Sequence, residues 1–431
     1  MVAGNVDSAS HGVSNPTSEA RGTKAVVIVG GATLGSMLSI GPVLTYTFGI
    51  FLVAFQGSFG WTRGEISLAQ TVTSGVVILA SPFAGRLADK YDPANFLSTS
   101  LLAFGVGMLA VPFIVSSPAT LLFAYALVAV LGIGTLPPVI VKPVLVSFDR
   151  RRGLAIGITL AGAGIAGAIL APFTSMLVAA SSWKLGFQGL GILAILAAPL
   201  VWLALRNRVP AAPSKHEVQQ RGREESQEQD GLSIDQARRT RTFWIILLIP
   251  FLEAFGAGGA GPTHIFPLAV DRGMSMRDAG FIVSAMGLAG IVGRVGSGYI
   301  VDRLQTPLVG IPLLGVGGAG ATIVALGPDW ALPLGAICIG FSVGVNLDLI
   351  AYFTSRYFGL RSSASIIGIC YGLAALSGGT GPLLQGLLYD LLGSYTLGLL
   401  VCASALGIAA LACAALKPFP PRDHWAPHTH R

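Results

Sequence analysis

Four ionisable side chains, Lys142, Glu253, Arg294 and Asp348, stand deep inside long apolar stretches of the chain. A charge in such surroundings costs about 2.5–3.5 kcal/mol even on lenient scales, so it usually faces a cavity or a partner. The planar guanidinium fork of Arg294 matches a carboxylate. Its alternatives are an ion pair with Asp302 or a side chain reaching for the water surface. A carboxyl group in an apolar medium favours its neutral form, so Glu253 or Asp348 could take up and release a proton as its surroundings alternate. Asp348, within Asn346-Leu-Asp348-Leu, is the preferred proton carrier; it could equally be the counter-ion of Arg294, and Glu253 could be a neutral, hydrogen-bonded core acid. His264 is the one histidine outside the chain's ends and its central charged segment, and an imidazole titrates near neutrality. It suits a proton gate or a substrate contact, or is simply solvated at a helix end. Lys142 follows Pro137-Pro138 and would attract an anion or snorkel.

The elements that must hold these groups follow from composition. Only 11% of the 431 residues are charged and 53% are hydrophobic. A soluble chain would carry about a quarter charged residues, and a disordered one would be poor in hydrophobics. Fourteen charges cluster between Arg206 and Arg241, while Ala25 to Thr62, Pro93 to Val141 and Ser362 to Tyr389 carry none. A bilayer core takes about 20 helical residues. That rule predicts twelve helices, near 25–53, 66–86, 94–115, 119–147, 153–179, 186–205, 242–264, 279–301, 307–327, 330–356, 362–388 and 395–416. Continuous apolar runs of this length exclude a β-barrel.

With the N-terminus inside, the cytoplasmic segments hold 21 of the 27 Lys and Arg. The positive-inside rule then places both ends and the 206–241 segment in the cytoplasm, and the net charge of +7 needs no nucleic acid to explain it. The first 24 residues lack an apolar core, so no cleavable signal peptide is expected. Cys338, Cys370, Cys402 and Cys413 lie in apolar helices without metal-ligand spacing, and neither a disulfide nor a metal site is expected. His424, His428 and His430 read as a disordered tail.

The chain also repeats itself. Trp61-Thr62-Arg63-Gly64-Glu65 corresponds to Ser275-Met276-Arg277-Asp278, the arginines lying 214 residues apart. Gly85-Arg-Leu-Ala-Asp89-Lys90 corresponds to Gly298-Tyr-Ile-Val-Asp302-Arg303 at an offset of 213, and Gly157-Ile158 to Gly368-Ile369 at 211. Six helices per repeat preserve orientation, so the repeats are parallel. In such carriers the substrate binds between two rocking halves near the midplane. The expected domains are a disordered tail (1–24), a six-helix bundle (25–205), a charged linker (206–241), a second six-helix bundle (242–416) and a cytoplasmic tail (417–431). Glycines 157, 162, 164 and 167, with 368, 372, 378, 379 and 381, would let the fifth and eleventh helices approach their neighbours closely.

On these residues the chain resembles the major facilitator superfamily. The two Gly-x-x-x-Asp-[Lys/Arg] elements resemble its loop motif. Phe148-Asp-Arg-Arg-Arg152-Gly-Leu-Ala-Ile-Gly157, Gly293-Arg294 and Arg356-Tyr-Phe-Gly359 resemble its monocarboxylate and oxalate/formate branch. The resemblance implies a substrate-binding arginine at Arg294. The chain lacks a lysine in its first and eleventh helices and lacks the aromatic-acid branch's Asp-Gly-x-Asp, which leaves the substrate open.

A carboxylate near a helix start meets unpaired N–H groups. Asp89 is thus expected to reach the eleventh helix near Arg361, and Asp302 the fifth near Arg150 to Arg152. Together with Gly85, Lys90, Gly298 and Arg303 they would form a cytoplasmic latch. The reading is an all-α transporter of a small organic anion, a mono- or aromatic carboxylate, moved with protons by alternating access. Side chains of the first, fourth, fifth, seventh, eighth, tenth and eleventh helices would shape its pocket. The rival is a proton-coupled exporter of neutral or cationic compounds. No enzymatic activity or cofactor is expected, and no nucleotide motif is present. A monomer in the bacterial inner membrane is the expected form.

Overall fold

The computed structural model describes residues 18–148, 152–206, 231–304, 306–359 and 361–420. Most of the expected tails and of the linker lie outside the described residues; residues 18–24, expected in the first tail, are helical. Among the described residues sixteen α-helices follow in order: α1 (Ser18–Met37), α2 (Ile40–Phe59), α3 (Arg63–Lys90), α4 (Pro93–Ile114), α5 (Pro118–Leu131), α6 (Pro137–Ser147), α7 (Arg152–Ala180) and α8 (Trp183–Leu205). Within the linker lies α9 (Ile234–Ala237), and from its end onward come α10 (Arg241–Gly259), α11 (Pro262–Asp271), α12 (Met276–Leu304), α13 (Gly310–Leu326), α14 (Leu332–Phe358), α15 (Ser363–Leu392) and α16 (Thr396–Ala414). Among the described residues eleven segments are long and apolar enough to cross a membrane, and the shorter apolar helices α5 and α6 together occupy the predicted fourth span. The fold is all-α and polytopic. The face carrying the linker is called here the linker face, and the opposite one the distal face.

Local chemistry sets the turns. Thr62 and Glu65 form a reciprocal capping box at the start of α3, the Thr62 N–H donating to Glu65 Oε2 at 2.9 Å. Asp92 caps α4 ahead of Pro93, and Ser117 with Thr120 starts α5 ahead of Pro118.

Three predicted spans prove to be broken. The first divides at Leu38-Ser39, because Pro42 in the following turn has no N–H to continue the ladder. The fourth divides at a 3-10 turn, Ile133–Thr135, before Pro137-Pro138. The seventh divides at Ala260-Gly261 before Pro262 and runs on to Asp271, seven residues beyond the predicted end at 264. In lipid each freed backbone group must find another partner. Here the breaks serve one another: Ile40 N–H donates to Thr135 Oγ1 (3.2 Å), and Thr135 Oγ1 donates to Gly132 O (2.7 Å). Ser100 Oγ donates to Leu131 O (2.7 Å) and accepts from Gly134 N–H (2.9 Å).

The helices before the linker meet those after it mainly along two seams, α7 with α12 and α3 with α15. On the first seam Ser284 Oγ donates to Ala168 O at 2.6 Å, and a Cβ at Gly287 would sit 2.6 Å from Gly164 O. On the second, Thr71 Oγ1 donates to Gly379 O at 2.7 Å, and a Cβ at Gly386 would lie 2.8 Å from Arg63 O. These contacts occupy the distal halves of the helices. Towards the linker face, Cβ atoms at Gly85, Gly157, Gly296, Gly298, Gly368 and Gly372 would meet nothing within 4 Å. The fifth and eleventh crossings therefore use their glycines unevenly: 164, 167, 379 and 381 are in close contact, whereas 157, 368 and 372 open on space.

The buried core divides in the same way. One cluster runs through α1–α8 and continues into the distal parts of α10–α14 and α16, including Phe266, Met286 and Leu399. A second, with Phe243, Leu314, Phe353 and Cys413, fills only the linker-side part of the later helices. The molecule is closed at its distal face and parted at its linker face.

Gly287→Ala would press a methyl against Gly164 O and Ala168 N, backbone atoms that cannot rotate away. Overpacking of this kind costs about 1–3 kcal/mol. The purified variant should melt below the wild type, and Gly296→Ala should not. Equal midpoints for all three would show that the α7–α12 crossing is not close-packed.

Candidate functional site

A cavity of ≈ 380 Å³ lies among the broken helices. Its wall is built from Pro42, Thr45 and Tyr46 of α2, Gln70 and Ser74 of α3, and Ala163 of α7. From the other side come Glu253 of α10, Pro262 and Thr263 of α11, Arg294 of α12, Asn346 of α14 and Pro382 of α15. The second crossing thus contributes where the fourth was expected. The fourth lends no lining residue because its break is turned onto that of the first crossing, through Thr135 and Ile40. A larger void of ≈ 510 Å³ between α10, α15 and α16 is lined by Phe and aliphatic side chains with only Thr380 and Ser404 polar, and offers little for recognition.

Two predicted residues meet in the central cavity. Arg294 is half-buried at the point where α7 and α12 begin to part, and its Nη1 donates to Leu160 O at 2.8 Å. A guanidinium has five N–H donors, so most of the fork remains for a ligand. Glu253 is 1% exposed; its Oε2 accepts from Asn346 Nδ2 and its Oε1 has no hydrogen-bond partner among the described residues. Asn346 was legible only as a neighbour of Asp348. The side chains of Asp348, Asp89 and Asp302, and residues 150 and 151 with the side chain of Arg152, lie outside the described residues.

Other predicted residues stand elsewhere. Lys142, on α6, donates through Nζ to Ala88 O in the last turn of α3, at the linker face. Lys90 lies over the Tyr91 ring (5.5 Å), Arg303 over Tyr299 (4.2 Å), and Arg361 is exposed. His264 is in the first turn of α11 and is buried, not solvated at a helix end. Its Nε2 lies 2.8 Å from Pro382 O, which can only accept, so Nε2 carries the hydrogen. Nδ1 then accepts from Tyr395 Oη at 3.3 Å. His264 itself does not line the cavity, although its neighbours Pro262 and Thr263 do.

Beyond His264 lies a cluster that sequence reading did not assign. Arg63, only 4% exposed, makes a two-pronged ion pair with Asp271 at 2.8 Å on each arm. Its Nε donates to Gln56 Oε1 (3.0 Å), its Nη1 to Tyr395 Oη, and its guanidinium carbon lies 3.7 Å from the centre of the Tyr389 ring. Asp390 accepts from the backbone N–H groups of Arg63 (2.9 Å) and Gly64 (2.7 Å), capping α3 from the end of α15. The repeat had paired Arg63 with Arg277, but Arg277 is exposed beside Phe281. The available signal was the acid-and-tyrosine content of Asp271, Tyr389-Asp390 and Tyr395 at distal helix ends, which spacing alone could not join to Arg63.

Residues 34–378 match the family model described as Major Facilitator Superfamily. Among curated relatives, monocarboxylate transporter 12 of Rattus norvegicus is 25% identical over 389 residues, covering 84% of this chain and 79% of that protein. The Homo sapiens monocarboxylate transporter 12 is 26% identical over 393 residues, with 84% and 75% covered. Among solved structures, a bacterial homolog of the human lysosomal transporter Spinster, inward-facing and occupied, superposes with a TM-score of 0.68 at 16% identity, over 96% of this chain and all of that one (100%). The nucleoside transporter NupG gives 0.67 at 13%, covering 90% and 99%. At these identities the two structures establish the fold alone.

Arg63 is buried whereas Asp271 is open to water, so losing Asp271 strands a buried charge and losing Arg63 removes the centre of the cluster. Arg63→Gln and Asp271→Asn should therefore loosen the distal face. With Cys338 replaced by alanine, a cysteine at Ala163 should react at least tenfold faster with an impermeant maleimide added from the distal side when either substitution is present. Unchanged labelling in both variants would show that the cluster does not hold that face closed.

Proposed function

The chain belongs to the Major Facilitator Superfamily, and we propose that this transporter moves a small organic anion, a mono- or aromatic carboxylate, together with protons by alternating access. The observation that carries the reading is the guanidinium of Arg294 in a central cavity, bonded to α7 through Leu160 O, with the Glu253–Asn346 pair in the same wall. A carboxylate entering from the parted linker face finds one strong cation. Its two oxygens match the guanidinium fork, and neutralising that charge lowers the cost of enclosing it away from water. The names of the curated relatives, monocarboxylate transporters, support the same substrate class.

The proton carrier is Glu253 or Asp348. A carboxyl group that is neutral when protonated and charged when not changes the cost of closing the cavity over it. The proton can thereby be made a condition of the transition. The bundles 25–205 and 242–416 rock about the cavity. When the distal clasp opens, Asp89 approaches the start of the eleventh crossing near Arg361 and Asp302 that of the fifth near Arg150 to Arg152, and Gly85 and Gly298 leave room for that approach. Lys142, on α6 and bonded to the linker-side end of α3, adds positive potential at the mouth, and His264 ties the cavity roof to the clasp. The linker face is cytoplasmic by its basic residues. The protein works as a monomer in a bacterial inner membrane.

Charged hydrogen bonds contribute about 1.5–3 kcal/mol, so Arg294→Gln should lower carboxylate uptake into proteoliposomes roughly 10- to 100-fold. Wild-type uptake should alkalinise the compartment the anion leaves. Unaltered uptake by Arg294→Gln would remove the anion reading in favour of a neutral or cationic substrate. Anion movement without a pH change would remove the proton. Separately, Asp89→Asn should raise the exposure of the cavity to the linker side and slow turnover; if both stay at wild-type values, the latch is wrong.

A further inference from the structure

The hydrogen bonds of His264 run directly into the distal clasp. Its Nε2 donates to Pro382 O (2.8 Å), and its Nδ1 accepts from the Tyr395 hydroxyl (3.3 Å). That hydroxyl in turn accepts from Arg63 Nη1. A tyrosine has one O–H to give, and here Nδ1 receives it. While the clasp is shut the imidazole is therefore neutral, with its hydrogen on Nε2. A second proton, on Nδ1, would turn two cationic donors onto one oxygen.

The charged groups around His264 are already engaged or stand apart from it. Asp271, on the same helix, meets both arms of the Arg63 guanidinium, and Asp390 of α15 meets the N–H groups of Arg63 and Gly64. Tyr389 of α15 lies under the guanidinium. α2 carries no charged residue, its polar Gln56 binds Arg63, and its Tyr46 lines the central cavity. Glu253 of α10 and Arg294 of α12 line the same cavity, and Arg277 and Asp278 are exposed at the distal start of α12.

What seals His264 from water comes from before the linker. Arg63 of α3 is one cover. The other is α2, where a Cβ at Gly49 would lie 2.7 Å from Thr263 O and 2.8 Å from Pro262 O. His264, Pro382 and Tyr395 all belong to the segments after the linker. Parting the distal face withdraws Arg63 and α2, leaves these three together and admits water to them. The Tyr395 oxygen has then lost its cationic donor, and a protonated His264 can supply another.

We propose that a proton on His264 Nδ1 and the guanidinium of Arg63 are alternative donors to the Tyr395 hydroxyl: opening the distal face takes up one proton from water, and closing returns it. This is a gating proton, separate from the coupling proton assigned to Glu253 or Asp348. It holds for any cargo, so its failure leaves the carboxylate reading standing. An imidazole in water titrates at about pH 6.5. Because the open state binds the proton and the closed state does not, acid favours the open distal face.

The test uses the full-length protein in oriented membrane vesicles, with one buffer on both sides. Cys338 is replaced by alanine, a cysteine is placed at Ala163 in the cavity, and labelling by an impermeant maleimide from the distal side is timed. Each rate is divided by that of a cysteine at the exposed Ser58 at the same pH, which cancels the thiolate fraction. With His264 in place, the ratio should rise about tenfold between pH 7.5 and 5.5. His264→Gln, whose amide can donate to Pro382 O and accept from Tyr395 without titrating, should hold it constant to within about twofold. His264→Asn is the second neutral replacement should the first fold poorly. A ratio that stays flat with His264 present, or that rises as steeply in the His264 variants, overturns the gating proton.

Discussion

A guanidinium withdrawn from water at the head of α3 is the interaction on which the observed state depends. Arg63 can be buried only while Asp271, Gln56, Tyr395 and the face of Tyr389 are all in place around it. Three of those four partners come from the helices after the linker. Separating the distal face would strand the charge, so the clasp is assembled or broken as a unit and has little room for half-measures. Asp390 extends the same logic to the backbone, since it answers N–H groups that the first turn of α3 cannot bond internally. With the distal ends held this way, the helices are free to part only at the linker face, where the glycine positions open on space.

The cavity owes its place to a second constraint, the need to satisfy every backbone group inside a bilayer. Prolines 42, 137 and 262 interrupt three crossings, and each interruption would be costly facing lipid. Two of the breaks are turned onto each other, with Thr135 serving both. The residues next to the first and third breaks, Pro42 and Pro262, form part of the cavity wall. Non-helical backbone is thus confined to places where protein or cavity water can serve it. His264 joins the two constraints physically. Its Nε2 is bonded to the carbonyl of Pro382, itself a lining residue, and its Nδ1 to the tyrosine that receives Arg63.

Much of this was open to inspection in the order of residues. Long uncharged runs and the clustering of charge between Arg206 and Arg241 determine an all-α polytopic fold, because a bilayer admits no other use for such segments. The loop repeats, Gly85 to Lys90 and Gly298 to Arg303, determine the superfamily. Arg294 and Glu253 were legible as cavity residues for one physical reason: a charge in an apolar helix must be answered by something.

Tertiary structure decided what depends on contact between distant segments. Arg63 reads as an ordinary loop cation, matched by its repeat partner Arg277, and only packing buries one and leaves the other in solvent. Gln70 carries no charge, so nothing in its own surroundings marked it. His264 looked interfacial because the seventh span was predicted to end at residue 264, whereas the crossing resumes after its break and continues to Asp271. The cost of a buried charge can be read from a single segment of sequence. The partner that offsets it, often hundreds of residues away, is specified only when the helices are brought together.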